Sequence, residues 1–178
     1  MSNKIGRIVP LLACAIGVYC SAAAAKTEIK LHGALVAEPC VIKPGDENIQ
    51  LDFGSVVEKY LYLNGRTPSQ PFTLRLSDCD LGLGKAVKIT FSGIENAALP
   101  GLLALDATSS ARGVAIGLET AAGTAAPLNK TLPALPLATG DTLIAMRAFI
   151  QGEPQALSNN SITQGEFTAT VNFTLGYE

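Results

Sequence analysis

Residues Gly165–Glu178 read GEFTATVNFTLGYE. Phe167, Ala169, Val171, Phe173, Leu175 and Tyr177 alternate with Glu166, Thr168, Thr170, Asn172, Thr174 and Gly176. An unbroken two-residue period is the pattern of a strand with one buried and one wet face. Helical spacing would scatter the same residues around a cylinder, so a helix is excluded. A strand this long needs neighbours on its edges, and the rest of the chain must supply them.

The first candidate neighbour lies at the other end. In Thr27–Val36, Thr27, Ile29, Leu31, Gly33 and Leu35 share one face, and Glu28, Lys30, His32 and Ala34 share the other. Gly33 interrupts the apolar face, which suggests close backbone approach there. On periodicity alone this is a first strand paired within its own domain. Pro39 and Cys40 break the alternation, and Lys43-Pro44-Gly45-Asp46 is a turn signal. Short strands are expected at Ile49–Phe53, Phe72–Leu76, Val87–Phe91, Leu102–Leu105 and Val114–Leu118. Cys79 is out of phase with Phe72, Leu74 and Leu76, so that strand bulges or ends before it. Leu99-Pro100-Gly101 reads as a turn, and Ala121–Pro136 as a loop with one short edge segment. Asp141–Ile150 is apolar on both faces and suits a central strand, with Gln151–Gln164 a polar connection onward. No segment holds a helical period for ten residues. Short strands separated by turn signals indicate an all-β sandwich.

The 178 residues fit one domain with a sizeable core. Lys4 and Arg7 precede the apolar run Ile8–Tyr19, and small residues Ser21–Ala25 follow. That is the layout of a secretory signal peptide over residues 1–25, cleaved after Ala24 or Ala25. The run is shorter than the ~20 residues of a membrane span, so no direct span is expected. The stretch before Cys14 faintly resembles a lipoprotein cleavage box, but cleavage there would leave Cys20 as an odd thiol. Ordinary cleavage leaves Cys40 and Cys79, and two cysteines in an exported chain are expected to pair. It also removes two of the 13 basic residues, leaving 11 against 15 acidic ones, a formal charge of −4. With no basic patch interleaved with aromatics, nucleic acid is not an expected partner.

A catalytic inventory is missing. The single histidine, His32, lies on the polar face of its strand, so a Ser-His-Asp or Cys-His device has no base elsewhere. The set of several His or Cys ligands that zinc or copper wants is absent, and no glycine-rich phosphate loop opens a helix. Asp78 and Asp80 flank Cys79 without an evident partner. The glycosylation triplets at Asn129 and Asn172 are matches by pattern only. Neither an enzyme nor a cofactor is expected.

The two termini and the cysteine pair together resemble the pilin subunits of bacterial chaperone–usher fimbriae, over the whole mature length. The carrying residues are Gly165 fourteen positions from the end, the alternation Phe167–Leu175 and the penultimate Tyr177. At the N-terminus they are Ile29, Leu31, Gly33 and Leu35, with Cys40 seven residues after the glycine. Gly65-Arg66-Thr67-Pro68, Phe72–Cys79 and Phe91-Ser92-Gly93 through Ala97–Gly101 look like the minor adaptor subunits of P-type pili. The resemblance implies an incomplete immunoglobulin-like sandwich lacking its last strand. It further implies an N-terminal donor-strand extension (residues 26–38) and a pilin domain (39–178). A periplasmic pilus chaperone would fill the groove beside Phe167–Tyr177 and hold the carboxylate of Glu178. At the outer-membrane usher, the extension of a neighbouring pilin subunit would replace it. The implied place is the fimbrium at the cell surface, in support of cell adhesion. Two further readings stay open: a major rod or terminator pilin, and a freestanding secreted sandwich that binds a surface ligand.

Overall fold

The computed structural model describes residues 37–178. The expected signal peptide and the expected donor strand, with Thr27, Ile29, Leu31, Gly33 and Leu35, lie outside the described residues. Two antiparallel sheets are built from β1 (Gln70–Cys79), β2 (Ala86–Ser92), β3 (Glu95–Asn96), β4 (Leu99–Leu103), β5 (Val114–Thr120), β6 (Leu135–Pro136), β7 (Gly140–Gly152) and β8 (Asn172–Tyr177). One sheet runs β1-β7-β5-β4-β3 and the other β6-β2-β8. Leu74, Leu76, Ile116, Leu118, Ile144, Met146 and Ile150 of the larger sheet form one core with Val87, Ile89 and Phe91 of the smaller. Each set alternates with exposed or half-exposed residues along most of its strands, which is why two sheets suffice to bury it.

The cysteine pair and the bulge are both present. Cys40 and Cys79 are joined by a disulfide across 39 positions, and both are buried. The β1–β7 register shifts between Leu76 and Cys79, with Asp78 at φ 53°. The extra residue rotates Cys79 inward to its partner. β7 is paired on both edges, by β1 and β5. Only its second half is buried on both faces, however; Leu143 is exposed.

Four expectations need correction. Ile49–Phe53 forms no strand: its backbone has no ladder partner among the described residues, although Leu51 and Phe53 pack on the core. Leu99-Pro100-Gly101 is part of β4 rather than a turn. The turn is Ala97-Ala98, held by the Asn96 side-chain oxygen, which accepts from the Ala98 and Leu99 amides at 2.9 and 3.0 Å. A short helix, α2 (Pro154–Ser158), stands within the connection Gln151–Gln164 that was expected to be polar turns, and another, α1 (Glu58–Asn64), forms where no element was expected. Finally, only Asn172–Tyr177 of the C-terminal stretch is in a ladder, with β2. Upstream, the backbone bonds instead to the loop 106–111.

Candidate functional site

The C-terminal stretch uses its backbone in strict alternation. Glu178 and Ala86 exchange both amide–carbonyl bonds at 3.0 Å. In an antiparallel ladder such mutual pairs fall at every second residue, so Asn172, Thr174 and Gly176 also bond inward to β2. The upstream part keeps the same parity. The Glu166 carbonyl accepts from the amides of Ser110 and Ala111 at 2.8 and 3.2 Å, and that of Thr168 from Asp106 at 2.8 Å. The Thr168 amide donates to the Ser109 hydroxyl, which in turn donates to the Thr168 carbonyl, at 3.0 and 3.1 Å.

The odd-numbered residues are therefore left. Phe167, Ala169, Val171, Phe173, Leu175 and Tyr177 turn their backbone N–H and C=O to the outer edge, where no strand pairs among the described residues. Their side chains pack on the core but stay half-buried, while the even-numbered residues are exposed. Across the register, Phe91 and Ile89 of β2 are at most 2% exposed opposite Phe173 and Leu175. Among the described residues the core is closed behind β8 and open in front of it. An edge of this length with apolar side chains is a template for another chain.

A second wall faces this edge. Leu51, Phe53 and Val56 are half-buried on the same core, and the Phe53 and Phe167 rings lie 6.2 Å apart. At the Gly165 end a cavity of about 450 Å³ opens, lined by Val56, Val57, Leu61, Ile162, Gly165 and Phe167 among others. Gly165 itself has φ 152°, and a Cβ there would come within 2.6 Å of Ser110 Cβ and 3.0 Å of the Ala111 amide nitrogen. Only glycine lets the chain pass that close to the loop and begin the segment.

The other end is polar. The Glu178 carbonyl accepts from the Lys85 and Ala86 amides, and its side chain pairs with Lys88 at 2.5 Å. Burial pushes the Tyr177 phenol upward, with the charge of Glu38 adding to the effect. The point where the N-terminal segment joins the domain is at this end too. Pro39 accepts from the Asp80 amide and lies against Gly84, itself close to Glu178.

The expected groove-edge residues thus come together as one surface. Sequence reading missed the second wall, taking residues 49–53 for a paired strand, and missed α1, which floors the cavity with Leu61. A paired strand and an unpaired wall share the same alternation, so the pattern could not tell them apart. Among the described residues there is no cluster of three or more His, Cys, Asp or Glu that could hold a metal ion. None of their helices is long and apolar enough to cross a membrane.

Comparison with known proteins agrees with this geometry. The family model described as Fimbrial protein matches residues 29–178. An uncharacterized fimbrial-like protein of Escherichia coli K12, YfcP, is 34% identical over 86% of this chain and 85% of its own. The fimbrial adapter PapK of Escherichia coli is 29% identical over 85% of this chain and 88% of its own. In fold, the P pilus rod subunit PapA superposes with a TM-score of 0.68 at 22% identity, covering 79% of this chain and all of that one. An antiparallel sandwich whose apolar C-terminal edge pairs with no strand among the described residues, matched over nearly its whole length by fimbrial relatives, belongs to the fimbrial protein family, and the chain is a structural subunit of a fimbria at the cell surface.

Proposed function

We propose that the chain is an adaptor-like minor subunit that is completed by a strand from outside and donates its own N-terminal segment, residues 26–38, to a neighbour. The observation that carries this is the double use of the outer edge. The same six residues, Phe167 to Tyr177, present unpaired backbone groups and half-buried apolar side chains. A donated strand supplies main-chain partners and core side chains in one step. Before assembly the lodger is a periplasmic chaperone strand, with the Glu178 carboxylate held by basic residues of the chaperone; at the usher a pilin extension displaces it. Donation of Ile29, Leu31 and Leu35 into a neighbour's groove contributes about 1.5–3 kcal/mol per side chain fully buried, and Gly33 fits where that groove is narrow.

The open cavity at the Gly165 end favours an assembling subunit over a terminator, because an incoming strand has an apolar foothold there. Adaptor over rod rests on Gly65–Pro68 and Phe91–Gly101 and on the likeness to the adapter PapK. Quantitative mass spectrometry of sheared fimbriae separates the two: an adaptor is present at a few copies per fimbria and a rod subunit at hundreds.

Strand donation is tested by deleting Lys26–Val36 from the mature chain. The truncated chain should still co-purify with a periplasmic chaperone but should not join the subunit whose groove it fills. Gly33→Leu should impair the same step. Undiminished joining by the truncated chain would refute the donor assignment.

A further inference from the structure

α1 carries an apolar stripe that the domain leaves uncovered. Val57, just before the helix, and Tyr60 and Leu63 within it follow at three-residue spacing on one side. Leu61 on the other side is buried in the core. Val57 and Leu63 are 63% and 75% exposed. An exposed leucine is ordinary on its own. Val57, however, also lines the cavity at the Gly165 end, together with Val56 and Leu61, so the exposed residues of α1 begin at its rim.

The opposite end of the domain has an apolar face of its own. Val41 and Leu83 are both more than half exposed. They flank the point where the N-terminal segment leaves: Val41 adjoins Cys40, and Leu83 adjoins Gly84, which lies against Pro39. The reach of the chain then limits where a donor's body can sit. Val36–Pro39 separates Leu35, the last residue of the alternating set Ile29, Leu31, Gly33 and Leu35, from Cys40. The five residue steps from Leu35 to Cys40 span at most about 18 Å. A donor whose Leu35 equivalent lies in the cavity must hold its disulfide within that distance of α1.

Resting on the strand-donation reading above, we propose that Val57, Tyr60 and Leu63 seat the globular body of the strand-donating subunit. The occupant is the apolar face beside that subunit's own extension, of the kind formed here by Val41 and Leu83. The contact is heterologous, head to tail, so it propagates along a filament without closing. It requires the extension to lie antiparallel to Gly165–Glu178, with its C-terminal end at the cavity. The choice of this end follows from its apolar cavity; at the Glu178 end the exposed Val41 and Leu83 are interspersed with the charged Glu38, Lys85, Lys88 and Glu178. The donated strand alone would leave two bodies free to swivel, and a side contact on α1 restricts that motion.

The experiment places a photoactivatable benzophenone residue at position 63 of the full chain, with position 143 as control, in cells producing fimbriae. Leu143 is comparably exposed but lies on β7, away from the cavity. Irradiated fimbriae are analysed for covalent adducts, and strand-joined subunits are scored separately by their resistance to dissociation in detergent. The expected result is an adduct from position 63 to a neighbouring subunit within a few residues of its first disulfide cysteine, at least fivefold above position 143. Strand-joined subunits without that adduct, equal yields at both positions, or an adduct only to a chaperone would overturn the seat and leave strand donation standing. Absence of strand-joined subunits would overturn both. Leu63→Asp supplies a second measurement: strand joining should persist, while the adduct from a probe at position 60 falls severalfold.

Discussion

Gly117 lies in the middle of β5, opposite Phe149 of β7, and the ring of Phe149 fills the place a side chain would take. A Cβ on Gly117 would stand 2.2 Å from Phe149 Cζ and 2.6–2.7 Å from both Cε atoms. Ordinary carbon contacts are about 3.5–4 Å, so Gly117→Ala must drive the ring away. The ring is not free to go. The Arg66 guanidinium sits 3.7 Å from its centroid and also bonds to buried Glu119 at 3.1 Å. Overpacking costs about 1–3 kcal/mol, and loss of the cation–ring contact about 0.5–2 kcal/mol. The expected loss is therefore about 2–4 kcal/mol. With a urea slope of about 1.5–2 kcal/mol/M, that moves the unfolding midpoint down by about 1–2 M. The sign should reverse once the ring is gone. Alanine in a strand is intrinsically favoured over glycine by roughly 0.5–1 kcal/mol, and Gly117 has no positive φ to protect. In a Phe149→Leu background, Gly117→Ala should thus be neutral or stabilising. Urea titrations of the oxidised wild type, both single variants and the double variant complete the cycle. An equal penalty in both backgrounds, or a penalty below about 0.5 kcal/mol in the wild type, would refute this account.

Three further outcomes follow from the same coordinates. Removing the disulfide by Cys40→Ala with Cys79→Ala frees a loop of about forty residues and should cost about 4 kcal/mol by the chain-entropy account, read as a lower urea midpoint that matches reduced wild type. Glu119 accepts from the Ser69 hydroxyl and from Arg66, and these bonds, Ser69 first, outweigh its burial and hold its carboxyl below the ordinary 4.5. A depressed native pKa gives stability that is complete above the unfolded value and lost as pH falls through the native one; Glu119→Gln should therefore be less stable at pH 7 and lose less on acidification below pH 4, and parallel pH profiles would show the reasoning wrong. Ser77 Oγ is buried with no hydrogen-bond partner among the described residues, so Ser77→Ala should be neutral or raise the midpoint, by at most about 1–3 kcal/mol; clear destabilisation would mean the hydroxyl has a partner.

The parts legible in the sequence were those with a local cause. Alternation in Val87–Phe91 and Phe167–Tyr177 placed the right side chains inward, because a strand's period is independent of what lies beside it. The phase slip at Cys79 announced the bulge for the same reason. Other features depend on partners that are distant in sequence. Ile49–Phe53 alternates as a strand does, yet its backbone finds no ladder, which only the arrangement of neighbours decides. Pro100-Gly101 carries turn composition, but Asn96 caps the turn three residues earlier and leaves the pair to β4. α1 and α2 span seven and five residues, too few for a helical period to emerge. Which parity of the C-terminal stretch bonds inward was likewise invisible, since it is set by Ala86 and by the loop 106–111.

The parity of the free edge has a consequence for fidelity. Backbone amides and carbonyls are alike at every residue, so under the proposed strand donation the edge at Phe167–Tyr177 would offer any extended peptide the same bonds and hold without choosing. Shifting an incoming strand by one place preserves every one of those bonds. In an extension such as this chain's own, that shift would turn Glu28, Lys30 and His32 toward the unfinished core in place of Ile29, Leu31 and Gly33. A buried, unpaired charge is far costlier than the bonds are favourable. Under that proposal, discrimination between correct and misaligned subunits would reside wholly in the side chains, on a scaffold whose grip is indifferent to sequence.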